Sequence, residues 1–240
     1  MAKYGPSSVG YFLVGGNSLA GVLTNVSYKT LTATEETTAL GDSWREQTPM
    51  GVRSAELTQS GWFDDAANSS VAAFVGKETT SQVVTLAPAG STAGSKATGF
   101  AGAFGAEVDR VVEKEGLHKL NVTYTASGEI EDGKILEALG ARTTSGNSAS
   151  LDNSASSANG ASGYLQITAV SGTSPTLAIT LQHSTDDTTF ATLASFTMAG
   201  SIGAERITVT GTVNRYVRLN AAVGGSGSPS ITYTVAFVRG

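Results

Sequence analysis

The stretch SITYTVAFV, residues 230–238, decides the fold class because its large apolar side chains recur at every second position. Ile231, Tyr233, Val235 and Phe237 therefore share one face of an extended chain. A period of two residues is typical of a β-strand that buries one of its faces. We predict a half-buried strand over these residues.

The same alternation recurs upstream, and turn residues separate the runs. The runs are GYLQITAV (163–170), TLAITLQH (176–183), RITVT (206–210) and RYVRLN (215–220). Between runs lie the turn signals SGTSP (171–175), STDDT (184–188) and GGSGSP (224–229). Short alternating strands at this spacing predict an antiparallel β-sandwich of the immunoglobulin-like or jelly-roll type.

A polar segment precedes this sandwich. Residues 143–163 read TTSGNSASLDNSASSANGASG, with Leu151 as the only large apolar side chain. Such a segment buries too little surface to offset the entropy lost on ordering. We therefore predict two domains, 1–145 and 146–240, although SASLD (148–152) has the alternative of being a short first strand of the second domain.

The first half is also rich in strands. Residues 118–127 carry one apolar face, with Leu120, Val122 and Tyr124, and follow a predicted hairpin turn at residues 114–116. The segment 29–49 has little periodicity and many threonines, which predicts either a long hairpin arm or a functional loop.

Helix signals are sparse in this chain. One helix is predicted to begin at Asp64 or Asp65 and to end at Gly76, because Val71, Phe74 and Val75 fall on one face with Ala67. A second helical turn is predicted over Lys134–Leu139. The sequence thus predicts a mainly β protein with one α-helix.

Composition excludes several function classes. Charged residues are 15% of the chain and the net charge is −5. Residues 1–150 hold 11 Lys/Arg and 16 Asp/Glu, which gives −5, and residues 151–240 hold four of each, which gives zero. A sequence-reading nucleic-acid binder needs a basic stripe, which this acidic first half lacks. No apolar run is long enough for a membrane span, and residues 1–8 lack the pattern of a signal peptide.

Catalytic and metal-binding patterns are also lacking. The chain has no cysteine and two histidines, His118 and His183, which we expect on strand surfaces. Asp186–Asp187 has two interpretations, a calcium ligand pair or, more simply, an Asx-type turn. We expect no enzyme activity, no cofactor and no bound metal.

Two aromatic and glycine-rich patterns indicate packing rather than chemistry. Gly99, Gly102 and Gly105 interleave with phenylalanines, which indicates close subunit packing or a β-bulge. Trp44 and Trp62 flank turn residues and are predicted to anchor packing.

An ordered set of stretches resembles the tail tube (major tail) proteins of long-tailed phages. The matching stretches in the first half are GYFLVGG (10–16), LGDSWREQTPMG (40–51), AELTQSGWFDDAANSS (55–70) and GEIEDGKILEAL (128–139). Residues 171–196 and 211–240 resemble β-sandwich domains appended to phage tail proteins.

The resemblance implies a tail-tube-type β-sandwich or barrel with a long arm loop, followed by a surface-displayed sandwich. It implies hexameric rings of this chain, stacked into a tube in the virion and assembled in the host cytoplasm. The implied partners are the chain itself, other tail proteins (tip, tape measure and terminator), and genomic DNA that passes transiently and non-specifically during ejection.

Two sets of residues are predicted to carry this role. A lumen that attracted phosphates would retain DNA, so a polar or mildly acidic strand face suits the lining. The lumen-facing candidates are Ser54, Glu56, Thr58, Thr123 and Thr125. The candidates for inter-subunit contact by the arm are Thr34, Glu35, Glu36, Trp44 and Arg45.

The alternative function is a virion decoration or adhesion protein whose second sandwich binds host-surface glycans. Sugar platforms usually expose two or three aromatic side chains together. The second half has no tryptophan, and its aromatic residues mostly alternate into the predicted core. The single-helix first half with its long arm favours the tube over a decoration protein.

Overall fold

The computed structural model describes residues 8–41, 43–112 and 114–240, apart from the side chains of Val52, Ala101 and Ala106. The predicted mainly β class is confirmed, since 62% of residues lie in strands and 3% in helix. All the strand pairs are antiparallel in the part described.

The described residues of the first half form eight strands and one short helix. The strands are β1 (Tyr11–Val14), β2 (Asn17–Ser18), β3 (Leu23–Glu36), β4 (Gln47–Trp62), β5 (Gln82–Ala87), β6 (Lys96–Val111), β7 (Lys119–Ala126) and β8 (Ile130–Arg142), and the helix is α1 (Ser70–Phe74). The predicted strand at 118–127 and the predicted hairpin turn between β6 and β7 are confirmed.

The second half consists of two long strands and four short ones. They are β9 (Gly146–Asn147), β10 (Leu151–Asp152), β11 (Ala161–Ser184), β12 (Ala191–Ser195), β13 (Gly203–Val209) and β14 (Tyr216–Arg239). The alternative that residues 148–152 contain a short strand is confirmed by β10, in which Leu151 packs against the apolar core.

Strands β11 and β14 pair along most of their length and form one bent ribbon. The halves of the ribbon lie on opposite sides of one core, because Leu165 and Val235 from one half join Leu181 and Leu219 from the other in a single buried cluster. Strands β13 and β8 flank the first half of the ribbon, and β12, β9 and β10 flank the second. The predicted antiparallel sandwich is therefore built by folding one ribbon over.

The turns predicted at 171–175 and 224–229 were wrong. These residues continue the β11–β14 pairing through register shifts, with Thr173 opposite Ser226 and Thr176 opposite Gly224. Gly172 and Gly225 have φ angles of 104° and 118°. Residues 171–175 pair with residues 224–229, so the two segments bend β11 and β14 together and neither reverses the direction of its own strand.

The helical turn predicted over Lys134–Leu139 was also wrong, since these residues lie within β8. Ile135 and Leu136 are buried in two different clusters, because neighbouring residues of a strand face opposite sides and both sides of β8 are covered here. A helix is present within the predicted 64–76, but the predicted start at Asp64 or Asp65 was wrong, because these residues form a turn and α1 begins at Ser70, with Ser69 as its N-cap. Asp64 shapes the turn before it by accepting hydrogen bonds from Ala66 N (3.0 Å) and Ser69 Oγ (2.7 Å).

The core of the first half lies under the sheet of β3, β4, β7 and β6. Leu57, Val122 and Tyr124 from this sheet pack with Phe74 of α1 and Phe12 of β1. The helix and β1 thus cover one face of the sheet and leave the other face uncovered.

The two halves are joined by continuous pairing and a shared core. Strand β8 pairs with β14, and Gln166 accepts a hydrogen bond from Gly16 N (2.8 Å) and donates one to Val83 O (2.9 Å). Gly99 leaves room for the ring of Tyr164, since a Cβ at Gly99 would meet that ring at 2.5 Å. Neither subunit packing nor a plain bulge explains this glycine, because the neighbour is a side chain from the second half of the same chain.

The polar segment 143–163 is docked along its length. Ser148 N donates to Leu219 O and Leu219 N donates to Ser148 Oγ, both at 2.9 Å. Arg215 donates to both carboxylate oxygens of Asp152, at 2.7 and 2.6 Å. Strand β14 and the residue before it, Arg215, therefore supply the partners that the segment's own composition lacks. The division into domains 1–145 and 146–240 remains a proposal.

Candidate assembly surface

The uncovered face of the β3–β4–β7–β6 sheet is a polar surface of the first half. Burial alternates along β4, where Ala55, Leu57 and Gln59 are buried and the residues between them are partly exposed. Strand β7 shows the same alternation. One face of this sheet is thus sealed by the core, and the other is open to solvent.

The five lumen-facing candidates all lie on this open face. Glu56 is paired directly with Thr125, and Thr58 with Thr123, across β4 and β7. Ser54 lies two residues from Glu56 along β4. Directly opposite residues on paired strands have neighbouring side chains, so the structure brings the predicted set together.

Two acidic residues of this face were missed from the sequence. Glu107 lies opposite Thr123, and Asp109 lies opposite Asn121. A bulge between Gly105 and Glu107 changes the register, so that simple alternation along β6 places Glu107 on the wrong face. A glycine within a strand was the available signal for the bulge.

The charge on this polar face is nearly balanced. Lys29 Nζ lies 2.9 Å from Glu56 Oε1. The face carries Lys29 and Lys119 against Glu56, Glu107 and Asp109, so its formal charge is 2 − 3 = −1. The other side chains of its β4 and β7 rows are serine, threonine and asparagine at most positions, so the open face is polar and only slightly acidic.

Both outer strands of this sheet have an unpaired edge in the part of the chain that the structure describes. Strand β3 pairs only with β4, and the portion of β6 beyond Ala103 pairs only with β7. The four strands alternate in direction, so β3 and β6 run antiparallel to each other at opposite edges. The sheet presents backbone donors and acceptors on both sides.

The segment 29–49 is a hairpin arm, which settles the choice between an arm and a loop. Strands β3 and β4 continue to pair up to Glu36 and Gln47, beyond the last β4–β7 pair at Ala55 and Ala126. The arm therefore projects past the sheet by about 26 Å, at roughly 3.3 Å per residue over eight residues.

The five arm candidates occupy the outer part of this hairpin. Thr34, Glu35 and Glu36 lie in the last pairs of β3, and Arg45 Nη2 lies 2.9 Å from Glu36 Oε2. Trp44 lies at the tip. Its predicted role as a packing anchor is not met within this chain, because it is 84% exposed. Trp62, at the base, is half-buried.

The remaining candidate sites have structural explanations. Asp186 Oδ1 accepts hydrogen bonds from Thr188 N and Thr189 N, both at 2.9 Å, and these bonds hold the pKa of Asp186 far below its ordinary value. The predicted Asx-type turn is therefore confirmed. His183 Nδ1 accepts from Asn214 N at 3.2 Å, and burial lowers its pKa.

Two further kinds of feature are absent from the described residues. No three histidine, aspartate or glutamate side chains of the described chain are grouped as metal ligands would be. No described helix has the length and apolar character needed to cross a membrane.

Comparison with known proteins gives weak structural likenesses. No protein-family model and no curated protein matches the chain. Among solved structures, the chain is similar to one from the tail of an empty gene transfer agent (GTA) particle, refined helically with C6 symmetry (17% identity, TM-score 0.39, 54% of this chain and 97% of that one). A chain from the virion of a native gene transfer agent particle gives 17% identity and a TM-score of 0.36 over 55% and 98%.

A third likeness extends over both halves. The Dit protein of SPP1, described as a paradigm of the hub adsorption apparatus in phages that infect Gram-positive bacteria, gives 12% identity and a TM-score of 0.34 over 95% of this chain and 99% of that one. All three TM-scores lie below 0.5, so the function proposed below rests on the surface of the chain itself.

Proposed function

We propose that this chain is a non-enzymatic structural protein of a phage tail, which forms closed rings that stack into a tube. The observation that carries the proposal is the β3–β4–β7–β6 sheet, with a sealed face, a polar face and two unpaired edges of opposite direction. The partners would be the chain itself and the tip, tape measure and terminator proteins of the tail, and the virion would be its location.

The unpaired edges make self-association favourable. A long exposed edge is an aggregation hazard for a monomer, and a closed barrel removes every edge. Because β3 and β6 run in opposite directions, β6 of one copy can pair antiparallel with β3 of the next. Repetition of the same contact around an axis closes a ring.

The resemblance implies six copies, and the dimensions suit a channel. Six sheets of four strands make a barrel of 24 strands. With strands about 4.8 Å apart and tilted by about 40°, such a barrel has a backbone diameter of roughly 50 Å. A channel of this width admits a DNA duplex.

The polar face suits the lining of that channel. The opposite face is covered by α1 and β1, so only the face with Glu56, Thr58 and Thr123 is free to line the lumen. A formal charge of −1 per copy binds no phosphates and repels DNA only weakly. Genomic DNA would slide past serine, threonine and asparagine side chains without being retained.

Disulfide trapping tests the proposed edge contact, because the chain has no native cysteine. One variant set combines Ser27→Cys on β3 with a cysteine placed in turn at Phe104, Glu107 or Asp109 on β6. Within one chain Ser27 and Glu107 are three strand spacings apart, or about 14 Å. A disulfide needs Cα atoms within roughly 7 Å, so it forms only between copies.

The expected result is a ladder of covalent oligomers on a denaturing gel after oxidation, for at least one β6 position. The largest closed species would report the number of copies per ring. The single-cysteine variants are the controls and give at most dimers. Absence of a ladder from every pair, in material that forms rings under the electron microscope, would contradict the proposed edge contact.

A hub at the end of the tube is the second candidate for the same surface. A hub ring would use the same edges but would not stack on copies of itself. Rings that give the disulfide ladder and never lengthen into tubes, even with a tail-tip nucleator, would favour the hub.

The glycan-binding alternative is disfavoured by the second half. Tyr164, Tyr233 and Phe237 are buried. Arg218 lies 3.7 Å above the ring of Phe190, and Arg215 lies 4.8 Å above that of Tyr216. The outer aromatic rings are thus covered by arginines. Specific binding of the whole chain to a glycan array would restore this alternative.

A further inference from the structure

A groove of about 550 Å³ lies where the two halves meet, and we call it the junction groove. It is lined by Tyr28 of β3, by Lys96 and Asp132 of the first half, and by Asn153 and Phe237 of the second. Its size is within the range of clefts that hold ligands or inserted side chains. The floor is apolar where Phe237 and Ala97 lie, and the rim is charged.

The rim carries positive charge in an acidic protein. Lys96 lies directly opposite Lys134 across β6 and β8, and neither forms an ion pair within the described residues. With Arg239 and Asp132, the groove has a formal charge of 3 − 1 = +2. Like charges directly opposite on paired strands repel each other. Lys134 has one acidic neighbour, Asp152, whose pKa is lowered by Arg215 and to a smaller extent by Lys134.

One further donor in the groove is unsatisfied. Asn153 Nδ2 is buried and has no hydrogen-bond partner, although Asn153 O accepts from Arg239 Nη1 at 3.1 Å. A buried polar atom without a partner destabilises the fold. Asp132 is already engaged, because Thr98 Oγ1 donates to it at 2.7 Å. The groove therefore suits an occupant with carboxylates and an apolar side chain.

The tip of the arm has this chemistry. The described residues of 35–46 include Glu35, Glu36 and Glu46 against Arg45, a formal charge of 1 − 3 = −2. The same tip exposes Trp44 by 84% and Leu40 fully to solvent. A large exposed aromatic side chain with acidic neighbours is complementary to a basic rim over an apolar floor.

The arm of the same chain does not reach this groove. Tyr28, at the base of the arm, lines the groove. The tip begins eight residues further on, past Glu36, which places it about 26 Å from Tyr28 along a paired ribbon. The ribbon stays paired to Glu36 and Gln47, and no described residue of its tip lines the groove of its own chain.

We propose that the junction groove receives the arm tip of a second copy of this chain, in the adjoining ring. This inference rests on the proposed function. The arm continues the direction of strands that tilt by about 40° from the axis of a barrel, so it extends beyond its own ring. Trp44 would enter the groove, and Glu35 and Glu46 would face Lys96 and Lys134.

The fluorescence of Trp44 tests this contact. In a Trp62→Phe background Trp44 is the one remaining tryptophan. Assembly is expected to shift its emission to shorter wavelength, because the ring moves from water into the groove. The double reversal Lys96→Glu/Lys134→Glu should abolish the shift and shorten the tubes at least tenfold in electron micrographs. Both lysines are exposed, so this variant is expected to fold.

A charge swap separates this contact from general repulsion. Adding Glu35→Lys and Glu46→Lys to the double reversal should restore both the shift and the tube length, and it leaves the Glu36–Arg45 pair intact. The control Lys77→Glu/Lys114→Glu changes the net charge equally outside the groove and should leave tubes long. Equal shortening by the control, or no rescue by the swap, would overturn the proposal.

The disulfide ladder distinguishes the two failures. In each charge variant the Ser27→Cys ladder reports ring closure independently of stacking. Suppose that the double reversal keeps the ladder, the emission shift of Trp44 on assembly and the tube length of the native chain. That result would refute the groove contact, while the proposed ring would stand. Loss of the ladder in the chain with native charges would instead refute the proposed ring.

Discussion

The molecule contains two long antiparallel ribbons, one of which bends over a core while the other stays extended in solvent. The β11–β14 ribbon bends at its glycines and encloses its own core, with Leu165, Leu181 and Leu219 buried on the inside. The β3–β4 ribbon stays extended past the sheet and leaves Leu31, Leu40 and Trp44 exposed. A ribbon that folds over itself satisfies its apolar surface within the chain. A ribbon that does not fold over offers that surface to another molecule.

The largest expected effect contrasts a leucine in each ribbon. Leu219→Ala should lower the free energy of unfolding by about 2–5 kcal/mol, because it leaves a cavity in a closed core. Leu31 is 48% exposed, so Leu31→Ala should change the free energy of unfolding by less than about 0.5 kcal/mol. Urea denaturation of both variants measures the difference. Equal decreases in the free energy of unfolding would show that Leu31 of the arm stabilises the monomer as much as Leu219 of the second sandwich does.

The next effect tests the bend itself. At Gly172, with φ of 104°, a Cβ would meet Pro229 Cα at 2.8 Å. Gly172→Ala should therefore cost about 2–3 kcal/mol, from left-handed strain plus a backbone clash. Gly51, in the arm, has φ of 75° with nothing within 4 Å of a Cβ. Gly51→Ala should cost only about 1 kcal/mol, which denaturant midpoints will resolve.

The smallest effect concerns the ion pairs beside each ribbon. Glu131 accepts hydrogen bonds from Arg206 Nη2 (2.9 Å), from Ser162 Oγ (2.9 Å) and from the Tyr164 hydroxyl. Burial raises the pKa of Glu131, and these hydrogen bonds outweigh burial, so its pKa is lowered. Glu131→Gln should cost about 1–2 kcal/mol near neutral pH.

The pH dependence of that loss has a definite sign. Because the folded pKa of Glu131 is lowered from 4.5, the stabilisation is fully present above that value and declines as pH falls through the folded pKa. The difference between the native chain and the glutamine variant should therefore shrink between about pH 5 and pH 3. Glu56→Gln, which removes the exposed pair with Lys29, is the control and should cost under about 1 kcal/mol. A constant difference across this range would exclude the ionised network as the cause.

Strict alternation of apolar and polar residues predicted the strands that pair with their neighbours without a register shift. Strand β7 and the faces of β4 followed from it, and so did the grouping of Glu56, Thr58, Thr123 and Thr125 on one surface. The wrong predictions arise where the strand register shifts or where a distant strand provides the backbone partners. Gly105 begins a bulge that places Glu107 on the polar face.

Partner choice accounts for the remaining errors in the predicted fold. Lys134–Leu139 has helical spacing but lies in a strand, because β14 supplies it with backbone partners through two register shifts. The residues of 171–175 have turn chemistry and instead form half of a bend. Neither outcome is encoded locally, since each depends on a segment more than 50 residues away.

The pairing of β14 has a consequence for the order of events during synthesis. This strand contacts β8, β9, β10 and β11, all of which leave the ribosome before it does. Until residues 216–239 emerge, one edge of β8 therefore lacks its partner strand. Tyr164, whose ring packs on Gly99, also lacks its backbone partner Ala236. Domains fold as units once their last strand is available. A chain that ends before β14 therefore leaves β8 and β11 without their partner strand and lacks the part of the junction groove that Phe237 and Arg239 line.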